Sequence, residues 1–170
     1  MEPIKKTHLD LIKDKILTRE ALFRMLFTWR FQDKKIVFTN GCFDLIHQGH
    51  IDYLSKAADC GNLLIVAVNS DASVHTLSKG PARPIQDEYS RALILASLSF
   101  VSAVVVFGEE TPYELIKSIK PDVLVKGSDY KVEQIAGHDI VIANGGSVKL
   151  IDFLPGFSTS AIEKKIRSFP

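Results

Sequence analysis

The sequence predicts a doubly wound α/β fold: a Rossmann-like parallel five-stranded sheet with helices on both faces, preceded by an N-terminal helical extension. Three observations predict it. Five short apolar runs rich in β-branched residues recur along the chain, segments of helical periodicity separate them, and a glycine-containing turn leads from the first run into a helix. Strands apolar on both faces and separated by helices need a parallel sheet covered on each side. In such sheets ligands bind outside the carboxyl ends of the strands, where the strand order reverses.

From about Thr7 to Trp29, the apolar residues Leu9, Ile12, Ile16, Leu22, Phe23, Leu26 and Phe27 recur at helical spacing, and Thr18 is placed to cap the second of two short helices. Residues 1–34 are therefore read as an extension packed on the main domain or on a neighbouring subunit, and residues 35–170 as the domain itself. Strands are expected at 36–39, 63–68, 103–107, 122–126 and 148–152. Helices at 50–58, 87–97, 112–119 and about 137–144 alternate with them, and a last helix begins near Ser158.

A chain of 170 residues with 46% hydrophobic and 24% charged residues can bury one core, and that balance argues against disorder. The net charge of +1 gives no basic field to hold a polyanion, so nucleic acid is not an expected partner. No apolar run is long enough to cross a bilayer, and the N-terminus mixes acids and bases where a secretion signal needs an apolar stretch. No membrane partner is expected, and the whole chain is expected to be kept in the cytoplasm. Cys42 and Cys60 form no C-x-x-C pattern, which disfavours a disulfide scaffold or a zinc site.

The chemistry concentrates in "KIVFTNGCFDLIHQGH", from Lys35 to His50. Asn40 and Gly41 make a tight turn at the end of the first strand. A helix starting near His47 then aims free N–H groups and its positive dipole end into the crevice, where phosphate is the natural occupant. Gly49 lets a nucleotide approach the backbone, and His47 and His50, at i and i+3, share one side of the first turn and can both donate to one phosphate. A histidine there can also be a plain cap. Zinc is disfavoured because no third ligand lies nearby and Gly49 has no purpose in such a site.

Three further segments suit the same crevice. "SKGPARPI" carries Lys79 and Arg83, with Arg91 on the next helix: a point charge and bidentate phosphate clamps, or simply a solvated basic loop. "VLVKGSDY" ends a strand at Lys126 and turns through Gly127 to Asp129 and Tyr130, where a base or ribose would be read. "GFSTSAIEKKI" puts Ser158, Thr159 and Ser160 at the mouth of the last helix, with Ser160 and Glu163 spaced as a capping box and free N–H groups able to take outer phosphates.

The H-x-G-H of "GCFDLIHQGH", set after a strand, resembles the signature of the nucleotidyltransferase superfamily, which contains cytidylyltransferases and related adenylyltransferases. With "IVAVNSDASV", "KGPARPI", "VLVKGSDY", "IAGHDIVIANGGSVKLIDF" and "STSAIEKKI", nearly everything from Lys35 to Arg167 resembles the D-glycero-β-D-manno-heptose 1-phosphate adenylyltransferase family of bacterial ADP-heptose synthesis. Two departures are conservative: Ser-Thr-Ser stands where a second threonine is common, and Gly-Ser-Asp where Gly-Gly-Asp is common.

The resemblance implies transfer from ATP, with Mg2+, to a heptose 1-phosphate, giving ADP-heptose and pyrophosphate for lipopolysaccharide core synthesis. It implies catalytic roles for His47, His50 and Lys79, with no resident metal site. Nucleotide contacts fall to Thr39, Asn40, Gly41, Phe43, His47, Gly49, His50 and Arg91, to Lys126, Gly127, Asp129 and Tyr130, and to Ser158, Thr159 and Ser160; acceptor contacts fall to Asp44, Lys79 and Arg83. Such domains are often fused behind a sugar kinase, for which 170 residues leave no room, so a separate kinase is expected; a homodimer is expected by the same resemblance. Two alternatives keep the crevice: a CTP-dependent transferase of a polyol phosphate such as glycerol 3-phosphate, and a nucleotide-binding module without turnover. Base preference and product formation separate them.

Overall fold

A computed structural model describes residues 5–76 and 83–169. Alternation along the first strand, β1 (Ile36–Gly41), sets the layers: Ile36 and Phe38 enter one core, and Val37 enters the other. β2 (Leu63–Asn69), β3 (Ala103–Phe107), β4 (Val123–Gly127) and β5 (Ser147–Ile151) complete a five-stranded sheet of order β3-β2-β1-β4-β5, every pair parallel. The chain winds outward from β1 through β2 to β3, then returns to place β4 on the other side of β1. The reversal falls between β1 and β4, so the crevice opens at their carboxyl ends.

One face is covered by α3 (Gln48–Ala58) and α5 (Glu88–Ser97), which bury Tyr53, Leu54, Ala92 and Leu95 against Val37, Val66 and Val104. The other is covered by α2 (Arg19–Phe31), α6 (Tyr113–Ile119) and α7 (His138–Ala143), through Leu22, Leu26, Ile116 and Val141 over Phe38, Ile65 and Val105. No helix among the described residues is long and apolar enough to cross a membrane.

The N-terminal extension packs on its own domain. α1 (His8–Lys13) leads into a short edge pairing in which Leu17 N–H donates to Val104 O and Val104 N–H to Lys15 O, each at 2.8 Å. Thr18 caps α2 by accepting from Ala21 N–H, as its spacing predicts. Leu22 and Leu26 are buried, each contributing about 1.5–3 kcal/mol. Phe23 and Phe27 of the same periodic stripe stay exposed, so only half of that stripe is core.

The predicted strands and helices stand within one or two residues of their expected bounds. Two short elements were not foreseen, α4 (Asp71–Thr76) and a 3-10 turn (Val132–Gln134). The last helix, α8 (Thr159–Arg167), corrects the capping expectation. Its N-cap is Ser158, the residue in extended backbone, whose hydroxyl accepts from Ala161 N–H at 3.1 Å; Glu163 instead reaches Arg83.

Candidate active site

β1 ends at Gly41, and the chain crosses its carboxyl edge through Phe43, which holds a left-handed φ of 49°. A non-glycine residue there is strained, and strain of this kind gathers at working sites. The turn brings the Phe43 ring edge-on to His50, with centroids 5.5 Å apart, and Gly41 makes room for it: a Cβ there would sit 3.1 Å from that ring.

His47 is the N-cap of α3. Its Nδ1 accepts from the backbone N–H of His50 at 3.3 Å, which assigns the proton to Nε2 and leaves that nitrogen as a donor. The two imidazoles stack with centroids 3.9 Å apart at 20°, as the i, i+3 spacing predicts. Burial lowers the His47 pKa below its ordinary 6.5, favouring the neutral ring. Gly49 serves this stack. A Cβ on it would meet His47 Cε1 and Nδ1 and Phe157 Cβ, all at 3.1 Å, so the missing side chain lets the His47 ring and Phe157 pack close to the first turn of α3.

A cavity of about 660 Å³ opens at the β1–β4 reversal. Its lining includes Asn40, Gly41, Phe43 and Asp44 from the end of β1 and the turn after it, His50 of α3, Arg83, Lys126, Gly127 and Tyr130 from β4 and its turn, and Thr159 and Ser160 of α8. Lys126 Nζ donates to Asn40 O at 3.1 Å and lies 5.6 Å from the Tyr130 ring centre, tying the ends of β1 and β4 together. Gly127 is required by close approach, since a Cβ there would fall 2.2 Å from the Phe153 ring and 2.6 Å from an Asp129 carboxylate oxygen. His47, Asp129 and Ser158 border this group without lining the cavity, and Lys79 lies outside the described residues.

Two expected contacts, Thr39 and Arg91, are enclosed by the protein, and a third, Asp44, lines the cavity while also holding its neighbours. Thr39 is fully buried, its hydroxyl bonded to Tyr53 Oη at 2.8 Å; it braces β1 against α3 beneath the site. Arg91 is also fully buried. It donates to Gln86 O at 2.9 Å, Cys42 O at 2.7 Å and Asp71 Oδ1 at 2.7 Å, so its guanidinium holds the loops and cannot clamp a phosphate. The Asp44 carboxylate, 3% exposed, accepts from Ile85 N–H, Gln86 N–H and Arg83 Nη1, and thereby aims Arg83. Arg83 in turn pairs with Glu163 of α8 at 2.9 Å, linking the β1–α3 loop to the helix that carries Thr159 and Ser160.

Sequence reasoning missed Asn69, Glu110, Thr111 and Phe153, which also line the cavity. The available signal was their position: each ends or follows a strand at the carboxyl edge of the sheet.

Sheet order, reversal point and a helix N-terminus bearing two stacked imidazoles define a doubly wound α/β domain with a crevice at the carboxyl edge of its sheet. The cytidylyltransferase-like family model matches residues 38–165, and the chain belongs to that family. It is 52% identical over 166 residues to the bifunctional protein HldE of Wolinella succinogenes, covering 98% of this chain and 34% of that protein. It thus spans about a third of the length of the curated relatives it matches. Among solved structures, the lipopolysaccharide core biosynthesis protein from Thermoplasma volcanium superposes with a TM-score of 0.59 at 28% identity, over 71% of this chain and 97% of that one. Pantoate-beta-alanine ligase from Francisella tularensis shares the fold, with a TM-score of 0.58 at 16% identity over 89% of this chain and 76% of that one.

Proposed function

We propose that this chain is an adenylyltransferase that joins ATP and D-glycero-β-D-manno-heptose 1-phosphate to give ADP-heptose and pyrophosphate, in the cytoplasm, for lipopolysaccharide core synthesis. The observation that carries the reading is His50, which lines the crevice with Thr159 and Ser160 of α8 and is stacked on His47 at the start of α3. The resemblance of the heptose-family segments supports the acceptor, as does the likeness to the Thermoplasma core-biosynthesis protein. A kinase making the 1-phosphate and a homodimer belong to the same proposal.

An oxygen of the sugar 1-phosphate attacks the α-phosphorus of ATP; the new P–O bond forms as the α–β bridge bond breaks, and pyrophosphate leaves. Such a displacement needs alignment and donors where charge gathers, and no protein nucleophile. His50, and His47 through Nε2–H, stabilise the α-phosphate and the leaving bridge oxygen. Arg83 and Lys79 hold the incoming phosphate, and the α8 N-terminus takes the outgoing pyrophosphate. Mg2+ is proposed to accompany ATP, where it would draw charge from the phosphates during transfer.

Loss of one preorganised donor typically costs about 100- to 1000-fold in rate. His50→Ala is expected to lose that much pyrophosphate release while keeping the wild-type urea midpoint. A variant retaining half its turnover would overturn the reading.

A further inference from the structure

The cavity lining runs from the histidine-bearing end of β1 across to the ends of β2 and β3, and the chemistry differs between the two. Across the carboxyl edge of the sheet, Asn69 ends β2 and Glu110 and Thr111 follow β3, while Lys126 to Tyr130 belong to β4 and the turn after it. Strands lie about 4.8 Å apart, so the β3 end stands about 14 Å from the β4 turn and about 10 Å from β1, which leads into the histidines. Among the described lining residues the cations are Arg83 and Lys126. Arg83 is tied to Asp44 and Glu163, and Lys126 to Asn40, so both sit toward the histidine end.

The β3 end offers acceptors. Two adjacent carboxylates there have opposite fates: Glu109 is held by Arg19 at 2.5 Å and by Gly108 N–H at 3.1 Å, whereas no described residue pairs with the Glu110 carboxylate, which lines the cavity. Asn69, 4% exposed, donates one amide N–H to Ser73 Oγ at 2.8 Å, so this side chain is oriented within the fold and carries no charge. A second phosphate or a carboxylate would be repelled at this end; uncharged hydroxyl donors suit it.

We infer that Glu110 is a specificity-determining residue whose carboxylate accepts hydrogen bonds from ring hydroxyls of the acceptor, the polyol part of a sugar 1-phosphate lying over the ends of β2 and β3. This rests on the transfer reading above and names the part of the site that reads the sugar. Glu110 is exposed, so Glu110→Gln changes charge and acceptor strength without a folding cost.

The experiment is steady-state pyrophosphate release by wild type and Glu110→Gln, with ATP and D-glycero-β-D-manno-heptose 1-phosphate each varied, repeated with sugar 1-phosphates lacking single hydroxyls. A hydrogen bond to a charged group corresponds to about 10- to 100-fold in affinity. KM for the sugar phosphate is expected to rise by that factor, with KM for ATP within about two-fold. One deoxy analogue should be penalised in wild type and not in the variant, which a merely structural role would not produce. An active wild type whose Glu110→Gln variant keeps its sugar KM and its deoxy discrimination refutes this assignment alone. A wild type silent with every sugar 1-phosphate refutes the transfer reading, and this assignment with it.

Discussion

Replacing Arg91 by methionine separates a scaffold role from a phosphate clamp, because the two predict opposite readouts. The guanidinium is fully buried and makes three hydrogen bonds, two of them to the carbonyls of Cys42 and Gln86. Hydrogen bonds to a charged group contribute about 1.5–3 kcal/mol each, and both carbonyls lose their charged donor. The third partner, Asp71, is 35% exposed and can be rehydrated, so that pair adds less than about 1 kcal/mol. Methionine fills part of the volume, which leaves a net loss of about 3 kcal/mol. With a urea slope of about 2 kcal/mol/M, the unfolding midpoint should fall by about 1.5 M. Turnover should fall as well, since the Cys42 carbonyl belongs to the loop that positions His50. A midpoint shift below about 0.3 M with a rate loss beyond about 100-fold would refute the argument and put Arg91 in contact with substrate.

Gly49→Ala adds a methyl group 3.1 Å from the His47 ring, so the ring must retreat by about 0.5 Å to reach normal contact. A displacement of about 1 Å can cost 100-fold, so turnover should drop about ten-fold. The helix gain of about 1 kcal/mol offsets the crowding, and the urea midpoint should hardly move. Stability should also depend on pH through His47. Its folded pKa lies below the ordinary 6.5, so between those two values the unfolded chain binds more protons, and stability falls as pH drops below about 6.5 through the folded value. Urea midpoints at pH 8 and 5.5 should show that fall, and His47→Asn, which keeps an N-cap acceptor, should lessen it.

The parts of this molecule legible in its sequence are those set by local spacing. Five apolar runs became five strands: β1 to β4 are buried along most of their length, while β5, at the sheet edge, keeps its side chains exposed or half-buried, and the i, i+3 histidines stack because a first helical turn places them together. What was illegible depends on partners distant in sequence. Arg91 reads as a phosphate clamp until Cys42 and Asp71, 49 and 20 residues away, are seen to enclose it. Thr39, at the end of the first strand, reads as a nucleotide contact until Tyr53 takes its hydroxyl. Ser160 and Glu163 have capping-box spacing, yet Glu163 has a better partner in Arg83, which no local pattern announces. α4, of six residues and with only Ser73 and Val74 buried, carries too little periodicity to be read.

The most direct test of the account is pyrophosphate release by the wild-type chain with Mg2+, crossing ATP and CTP against both anomers of D-glycero-D-manno-heptose 1-phosphate and against glycerol 3-phosphate. Release with ATP and the β-heptose alone is the predicted result. Release only with CTP and glycerol 3-phosphate, or none across the whole panel, would contradict it.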